Sequence, residues 1–499
     1  MSAEEENNRA TEPAPERRRE MNRSPGQLIG LVLGPLLAGG LLLMEPPVGC
    51  SPAAWATAGV TVLMATWWVT EALPLPVTAL LPVPLLPALG IVDIDAAAAP
   101  YANPLVFLFL GGFLLAAGVQ QWDLHRRVAL AVVSLAGPQP DRLVAGVLGA
   151  TAVLSMWVSN TATAAMMLPI ALALAGLAAD ESDQDHARRF TVAILLAIAF
   201  GANIGGIATL VGTPPNALLA GFLADTHGIE IGFGEWMLVG VPVAGILLAL
   251  AWWLLARRVF HVGATPLPGV GDYVTAERAA LGRLSAAQRR VACVVGLAAL
   301  GWLMRPLLSA WMPGLALTDA GIGVACALLL FVVPAGALRG PALLDWRGTR
   351  GLSWGVLILV GGGLSLGAAI QASGLAEFIA GQLQVTHAWP IPAVVLMIAL
   401  VTIGLSHVTS NTATTATLLP IAVSLAAAAG QPVVTLAAAV ALSASCAFML
   451  PVATPPNAIV FASERLRVVD MIQGGAWLVV GSLAVVTLAA WLLVPLLLA

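Results

Sequence analysis

Two stretches of this 499-residue chain are nearly the same: WVSNTATAAMMLPIA at 157–171 and VTSNTATTATLLPIA at 408–422. Ten of the fifteen positions are identical, at an offset of 251 residues. In each half a polar Ser-Asn-Thr interrupts an apolar run, over 141–178 and over 390–430. A helix-breaking polar element at matching places predicts a duplicated fold in which each copy carries a hairpin that enters the membrane and returns.

The duplication extends beyond the two hairpins. At the same offset Gly111-Gly112 matches Gly362-Gly363, and TPPNA at 213–217 recurs at 454–458, at an offset of 241. Paired prolines remove two backbone donors and disfavour helix at the preceding residue, so we expect both segments to be unwound. The resulting division is a disordered cytoplasmic tail 1–26, a first repeat 27–261, a cytoplasmic linker 262–290 and a second repeat 291–499.

The composition places most of the chain in a lipid bilayer. Hydrophobic residues make up 59% and charged residues 10%, against about a quarter charged residues in soluble domains. The net charge of −4 gives no reason to expect nucleic acid as a partner. We predict an all-α polytopic membrane protein with about 11 transmembrane helices, each needing roughly 20 residues, plus two re-entrant hairpins in two inverted repeats. The predicted spans are 27–44, 53–71, 75–91, 103–122, 190–224, 236–256, 291–312, 319–338, 352–372, 432–463 and 473–498.

The arginines predict the orientation, because basic residues are retained on the cytoplasmic side. The chain contains no lysine. If the N-terminus is cytoplasmic, every arginine except Arg305 lies on the cytoplasmic side. The first hairpin then opens inward and the second outward, so the repeats are inverted, as in many secondary transporters. We therefore expect a multi-pass protein of the cell (inner) membrane with a cytoplasmic N-terminus.

The repeated motifs predict a binding site at membrane depth. Non-helical backbone is tolerated there only where protein buries it or an aqueous cavity meets it, so the four polar breaks should converge. They supply hydroxyls, carboxamides, freed carbonyls and helix N-termini, which suit a sodium ion and a carboxylate. Since no arginine lies near the motifs, bound sodium would provide the positive charge for a divalent anion.

These motifs, together with TEALPLPVTA at 70–79, resemble the divalent anion/sodium symporter (DASS) family over roughly residues 27–498. The resemblance implies a homodimer whose protomers each combine a scaffold domain with a transport domain that moves as an elevator, both domains drawing on both repeats. It also implies two sodium sites, one using Ser155, Ser159, Asn160 and the backbone at Gly212, the other using Ser406, Ser410, Asn411 and the backbone at Ala453. The implied substrate-binding residues are Asn160, Thr161, Thr213, Asn411, Thr412, Thr454 and Pro455.

The predicted function is sodium-coupled symport of C4-dicarboxylates such as succinate, malate and fumarate, and not enzymatic catalysis. Sodium-coupled members are expected to carry an acidic residue where this chain has His407. A sodium-independent dicarboxylate exchanger, with protonated His407 replacing a cation, is therefore the alternative, and citrate or sulfate are alternative substrates. His407 also has a structural reading, and Glu71 and Arg305 are candidate intramembrane charges that are either functional or near water.

A hydrolase and a channel are the rival classes. The segment GLSLG at 363–367 fits the GxSxG pattern of serine hydrolases. It lies in a predicted span whose counterpart has Leu114 in place of Ser365, so we interpret it as a packing element. A channel is disfavoured because inverted broken helices suit alternating access.

Overall fold

The computed structural model describes residues 23–179, 183–312, 314–337, 339–382 and 389–498. Within these ranges the regular structure is helical, apart from an isolated bridge between Pro334 and Ala342. The predicted all-α fold is therefore confirmed. The α-helices are Pro25–Leu43, Pro52–Val69, Leu75–Thr78, Pro82–Ala88, Ile94–Ala98, Pro104–Gln121, Leu124–Ala136, Pro140–Ser155, Asn160–Ala179, Gln184–Ile207, Pro214–His227, Phe233–Trp252, Val270–Ala280, Ala286–Trp311, Asp319–Val332, Trp354–Ala372, Leu375–Gln382, Ile391–Ser406, Asn411–Ala428, Val433–Ala444, Pro455–Phe461, Val468–Leu488 and Val494–Leu497.

Eight helical segments in the described part of the chain are long and apolar enough to cross a membrane. Several others are apolar but shorter, including both arms of the second hairpin, Ile391–Ser406 and Asn411–Ala427. Helix Asp319–Val332, for example, has 14 residues. At 1.5 Å per residue it spans about 21 Å, less than the ~30 Å hydrocarbon core. The number of about 11 complete crossings stays a prediction.

Three of the predicted spans are not continuous helices. The segment 75–91 forms two short helices, Leu75–Thr78 and Pro82–Ala88, in a stretch rich in proline. The spans 190–224 and 432–463 each divide into two helices, with the breaks at 208–213 and 445–454. The last two breaks fall at the Thr-Pro-Pro-Asn motifs, where unwinding was expected because proline cannot donate a backbone hydrogen bond.

Four helices lie where the sequence predicted connections, and the shortest of them is Ile94–Ala98. Leu124–Ala136 and Leu375–Gln382 begin at positions 251 residues apart, so they belong to the repeat. Val270–Ala280 lies inside the predicted linker, and the next helix begins at Ala286, before the predicted end of that linker. These elements are short or partly polar, so a search for apolar runs of spanning length does not find them.

The predicted N-terminal tail is shorter than 1–26 where the structure describes it. The first helix begins at Pro25, and Ser24 accepts a hydrogen bond from the Gln27 amide while the Gln27 side chain accepts from the Ser24 amide. This reciprocal pair is a capping box, a strong local signal for a helix start. Residues 1–22 lie outside the described part of the chain.

Each repeat contains a hairpin followed by a broken helix, and the two repeats exchange partners. The first hairpin is Pro140–Ser155 with Asn160–Ala179, and its broken helix is Gln184–Ile207 with Pro214–His227. The second hairpin is Ile391–Ser406 with Asn411–Ala428, and its broken helix is Val433–Ala444 with Pro455–Phe461. The second arm of each hairpin packs against the short helix that follows the Thr-Pro-Pro-Asn motif of the other repeat. The two halves therefore form one interlocked body around their four breaks.

Close backbone approach supports this packing. Helix Gln184–Ile207 is buried along nearly its whole length and packs on helix Pro140–Ser155. A Cβ atom at Gly201 would lie 2.6 Å from the Leu148 carbonyl oxygen, so glycine is required there. Small residues allow such contacts between helices in membrane proteins, where association depends on van der Waals packing.

Candidate functional site

The four polar breaks meet in one cavity of about 570 Å³. Each break contributes consecutive residues to the wall. Residues within 71–76 and 353–359 also line the cavity. The motif residues that line the cavity are Ser159, Asn160, Thr161, Gly212, Thr213, Pro214, Ser410, Asn411, Thr412, Ala453, Thr454, Pro455 and Pro456. The predicted convergence is therefore found in the structure. Of the thirteen predicted site residues, Ser155 and Ser406 do not line the cavity and are fully buried behind it.

The cavity receives the N-terminal ends of the helices that follow the breaks. Helices Asn160–Ala179, Asn411–Ala428 and Pro214–His227 all place their first residues in its wall. Free amide groups and the positive end of the helix dipole make a helix N-terminus favourable for an anion. The Asn160 and Asn411 ends present such amides, whereas Pro214 and Pro215 have no N–H, so the two Ser-Asn-Thr motifs are the places that favour a ligand with negative charge.

A compact group of oxygen atoms lies behind the first Ser-Asn-Thr motif. Asn160 Oδ1 is 2.6 Å from Ser155 Oγ, and Ser155 Oγ is 2.7 Å from the Ala202 carbonyl oxygen. The same end of the Asn160 amide is 3.1 Å from Ala202 O and 3.3 Å from Gly212 O. Two arrangements satisfy this geometry: either the amide turns its NH₂ group toward the three oxygens, or a cation lies among them. Hydroxyl, amide and carbonyl oxygens are hard ligands that suit an alkali or alkaline-earth cation.

Two glycines allow these oxygens to approach one another. A Cβ atom at Gly206 would lie 2.7 Å from Asn160 Oδ1, and one at Gly212 would lie 2.6 Å from the Gly206 carbonyl oxygen. The Gly212 neighbour is backbone and cannot move away at low cost, whereas a Cβ at Gly206 would displace the Asn160 amide itself. Gly206 and Gly212 therefore allow the oxygen atoms to lie close together, and only Gly212 was among the predicted site residues.

The corresponding place in the second repeat holds buried oxygens without partners. Ser406 Oγ and Asn411 Oδ1, the counterparts of the Ser155 and Asn160 atoms, have no hydrogen-bond partner among the described residues. Ser443, the counterpart of Ala202 at an offset of 241, also has a buried hydroxyl without a partner there. Unpaired buried polar groups are costly, so the two that match the Ser155 and Asn160 atoms suit a place that holds a ligand.

The asparagine of each Thr-Pro-Pro-Asn motif has a structural task. Asn216 Nδ2 donates to the carbonyl oxygens of Gly206 at 3.2 Å and Thr209 at 2.8 Å. Asn457 Nδ2 donates to the equivalent carbonyl oxygens of Ala447 at 3.2 Å and Leu450 at 2.9 Å. Each amide therefore holds the unwound segment in front of it. The repetition of the motif in the sequence pointed to these two asparagines. Neither Asn216 nor Asn457 was among the predicted site residues.

His407 also supports unwound backbone. The Met449 amide donates to His407 Nε2 at 3.3 Å, and His407 Nδ1 lies 2.7 Å from the Ile403 carbonyl oxygen. An amide donor at Nε2 and a carbonyl acceptor at Nδ1 are the partners of a neutral imidazole with its proton on Nδ1. The break in the second broken helix, 445–454, is longer than the break in the first, 208–213. His407 pairs with an amide in this longer break. The geometry favours the structural reading of His407 over a protonated cation substitute.

The other charged or nucleophilic candidates take separate positions. Glu71 lies in the cavity wall with its side chain exposed and a φ of 48°. Arg305 Nε is 2.9 Å from Asp319 Oδ1, so this intramembrane arginine has a carboxylate partner. Ser365 is buried and donates to the Ala97 carbonyl oxygen at 2.8 Å. That contact accounts for its hydroxyl, in agreement with a packing element.

A second cavity of about 490 Å³ adjoins the first. The two share Phe113, Ser159 and Ser353, and the second extends to Asp345 and Gly348. The second cavity therefore lies between the site and the loop that contains Arg347 and Arg350.

Comparison with known proteins places the chain among transporters. Residues 27–498 match the family model described as the sodium:sulfate symporter transmembrane region. The sodium-dependent dicarboxylate transporter SdcS of Staphylococcus saprophyticus is 38% identical over 476 residues, covering 94% of this chain and 92% of the relative. SdcS of Staphylococcus aureus strain USA300 is 38% identical over 481 residues, covering 95% and 92%.

A solved structure supports the fold independently. The crystal structure of the Alcanivorax borkumensis YdaH transporter aligns with a TM-score of 0.51 at 14% identity, over 95% of this chain and 98% of that one. A likeness at this identity concerns the fold alone. The family match and the two relatives cover nearly the whole chain. This chain therefore belongs to the sodium:sulfate symporter family, which confirms the resemblance that its repeated motifs indicated.

Proposed function

We propose that this protein takes up C4-dicarboxylates such as succinate, malate or fumarate together with sodium ions. The observation that carries the proposal is the composition of the cavity wall. Hydroxyls, carboxamides and the N-termini of the two helices that follow the Ser-Asn-Thr motifs face the ligand, and the described lining residues include no arginine or histidine. A dianion in this wall needs positive charge from elsewhere, since burying an unpaired charge is very costly.

Sodium at the two oxygen groups would supply that charge. In the first group the proposed ligands are Ser155, Ser159, Asn160 and the backbone at Gly212, and in the second they are Ser406, Ser410, Asn411 and the backbone at Ala453. The substrate carboxylates would then meet Asn160, Thr161, Thr213, Asn411, Thr412, Thr454 and Pro455. Two relatives of 38% identity are named sodium-dependent dicarboxylate transporters, which agrees with this choice of ions.

The coupling gives the cycle its driving force. If one net positive charge enters per cycle, a membrane potential of ~100 mV contributes about 2.3 kcal/mol. At ~1.4 kcal/mol per decade this corresponds to roughly fifty-fold accumulation of substrate. A sodium concentration gradient would add to that value.

The proposed cycle is an elevator movement of the interlocked hairpins and broken helices against the remaining helices, in a homodimer in the cell membrane. The adjoining cavity extends from the site toward the loop of Arg347 and Arg350, which the positive-inside rule assigns to the cytoplasm. We therefore take the structure to be open to the inside, with a cytoplasmic N-terminus.

Uptake into proteoliposomes tests the proposal. Vesicles loaded without substrate should accumulate radiolabelled succinate under an inward sodium gradient and not when choline replaces sodium. Unlabelled citrate and sulfate are added outside as competitors. The degree to which each lowers succinate uptake ranks them as alternative substrates. Uptake that ignores sodium but requires dicarboxylate inside the vesicles would replace symport with exchange.

A further inference from the structure

Asn203 is a buried residue of the first repeat whose side chain contacts the second repeat. It lies in helix Gln184–Ile207, is 0% exposed and borders the cavity. Its Nδ2 donates to Thr454 Oγ1 at 2.9 Å and to Asn457 Oδ1 at 3.3 Å. One carboxamide thus connects the first broken helix to the second Thr-Pro-Pro-Asn motif.

Neighbouring groups determine the orientation of the Asn203 amide. Asn457 directs its own Nδ2 to two backbone carbonyl oxygens, Ala447 O and Leu450 O. Its Oδ1 is therefore the atom that faces Asn203, and an oxygen there requires a donor. The NH₂ group of Asn203 must point to Asn457 and Thr454, because the opposite orientation would bring two amide oxygens together.

This arrangement leaves the Thr454 hydroxyl proton free for the ligand. Thr454 Oγ1 accepts from Asn203 Nδ2 and also from the Asn457 amide at 3.4 Å. A hydroxyl has two acceptor lone pairs and one proton, so a hydroxyl that accepts twice has its proton available for a third partner. Thr454 borders the cavity, and a carboxylate there can only accept.

The first repeat lacks the equivalent contact. At the offset of 241, the counterpart of Asn203 is Ala444, whose side chain carries no amide group. Asn216 Oδ1, the counterpart of Asn457 Oδ1, has no hydrogen-bond partner among the described residues, and the Thr213 side chain forms no capping bond. The two halves of an otherwise matched cavity therefore differ in how their threonine hydroxyls are oriented.

We infer that Asn203 is a positioning residue for the substrate: it directs the Thr454 proton toward one carboxylate, so that the second-repeat half of the site holds its end of the anion in a defined orientation. The inference rests on the proposed function, since it takes a dicarboxylate as the ligand. Asn203 acts through Thr454 and belongs to neither predicted sodium group.

A double-mutant cycle tests this role, because residues that act through each other are not additive. Initial rates of sodium-driven succinate uptake would be measured for the wild type, Asn203→Ala, Thr454→Val and the double variant. We expect Asn203→Ala to raise KM about tenfold, equivalent to about 1.4 kcal/mol, with maximal rate within about twofold. In the Thr454→Val background the same change should alter KM less than about twofold.

Further variants keep the result interpretable. Thr435→Val removes a buried hydroxyl that has no partner among the described residues and lies outside the cavity wall, so its KM should stay within about twofold of wild type. If Asn203→Ala does not fold, the nearly isosteric Asn203→Asp is compared with and without Thr454→Val: a rise in KM that acts by drawing the Thr454 proton away requires Thr454, whereas simple repulsion of the anion persists without it.

The outcomes separate this inference from the proposed function. Equal effects of Asn203→Ala with and without Thr454, or an unchanged KM in Asn203→Ala or Asn203→Asp, would overturn the positioning role. A wild type without sodium-driven succinate uptake would overturn the proposed function itself. Sodium-dependent thermal stabilisation without substrate should be unchanged in Asn203→Ala, and a loss of it would mean that the residue supports the fold instead.

Discussion

Ser155 Oγ lies 2.6 Å from Asn160 Oδ1, across the break of the first hairpin, and 2.7 Å from the Ala202 carbonyl oxygen. A serine hydroxyl has one proton, so it can satisfy only one of two acceptors at these distances. Either an Asn160 amide turned with Nδ2 toward Ser155 or a sodium ion among the oxygens resolves the remaining contact, and the ion would also connect the hairpin to helix Gln184–Ile207. The predictions below follow from this arrangement and from its partner in the second repeat.

Removing the Ser155 hydroxyl should weaken sodium binding. We expect Ser155→Ala to raise the sodium dissociation constant about tenfold, or about 1.4 kcal/mol, because one ligand is lost. A ligand that binds only the folded state stabilises it by RT ln(1 + L/Kd), where L is the ligand concentration, so the unfolding temperature rises with ligand concentration relative to Kd. The measurement is the unfolding temperature of detergent-purified protein against sodium concentration, without substrate and with choline keeping the ionic strength constant. An unchanged sodium dependence would argue that this hydroxyl only packs.

Gly206→Ala should remove sodium-dependent stabilisation almost completely. The added Cβ would lie 2.7 Å from Asn160 Oδ1 and would push the oxygens apart. Gly149→Ala is the matched control, since nothing lies within 4 Å of a Cβ at that helical position. The same thermal titration compares the two variants. Equal behaviour would show that close approach at Gly206 does not matter for the site.

Asn160→Ala and Asn411→Ala should each lower kcat/KM for succinate uptake by at least about tenfold. Each change removes a carboxamide from the cavity wall and from its oxygen group, and a hydrogen bond to a charged partner contributes about 1.5–3 kcal/mol. Ser365→Ala serves as the control, because that hydroxyl donates to Ala97 O away from the cavity. Loss of uptake in Ser365→Ala with normal uptake in the two asparagine variants would contradict the assignment of the site.

His407→Gln should leave the pH dependence of uptake unchanged between about pH 6 and 8, where a titrating histidine would be visible. The reason is that both ring nitrogens of His407 have the partners of a neutral imidazole. His407→Ala should instead lower stability by about 1–3 kcal/mol, because the Met449 amide loses its acceptor. Initial uptake rates across this pH range and thermal unfolding check the two statements. A pH profile that flattens in His407→Gln would restore the cation-substitute reading and favour exchange.

The sequence predicted the convergence of the four motifs because a repeated polar break in an apolar helix has few solutions in a membrane. Ser-Asn-Thr and Thr-Pro-Pro-Asn are also local signals, since proline and small polar residues act on the backbone within one turn. The structure accordingly places eleven of the thirteen predicted site residues in one wall. The other two, Ser155 and Ser406, lie one layer deeper.

Other features depended on contacts between distant parts of the chain. Nothing near Asn203 in the sequence indicates that its amide reaches Thr454, 251 residues away. The pairing of His407 with the Met449 amide depends on how early the second broken helix unwinds, which its local sequence does not specify. The division of the span predicted over 75–91 into two short helices was not predicted, because hydropathy counts apolar residues and does not register five prolines within 74–87.

The central claim is that sodium provides the charge that holds a dicarboxylate in this cavity. Its most direct test is calorimetric titration of succinate into purified wild-type protein, in sodium chloride and in choline chloride of equal ionic strength. We predict saturable binding in sodium and at least about a hundredfold weaker binding in choline, since a dianion without a counter-charge is strongly disfavoured. Succinate binding of equal affinity in both salts would contradict the account.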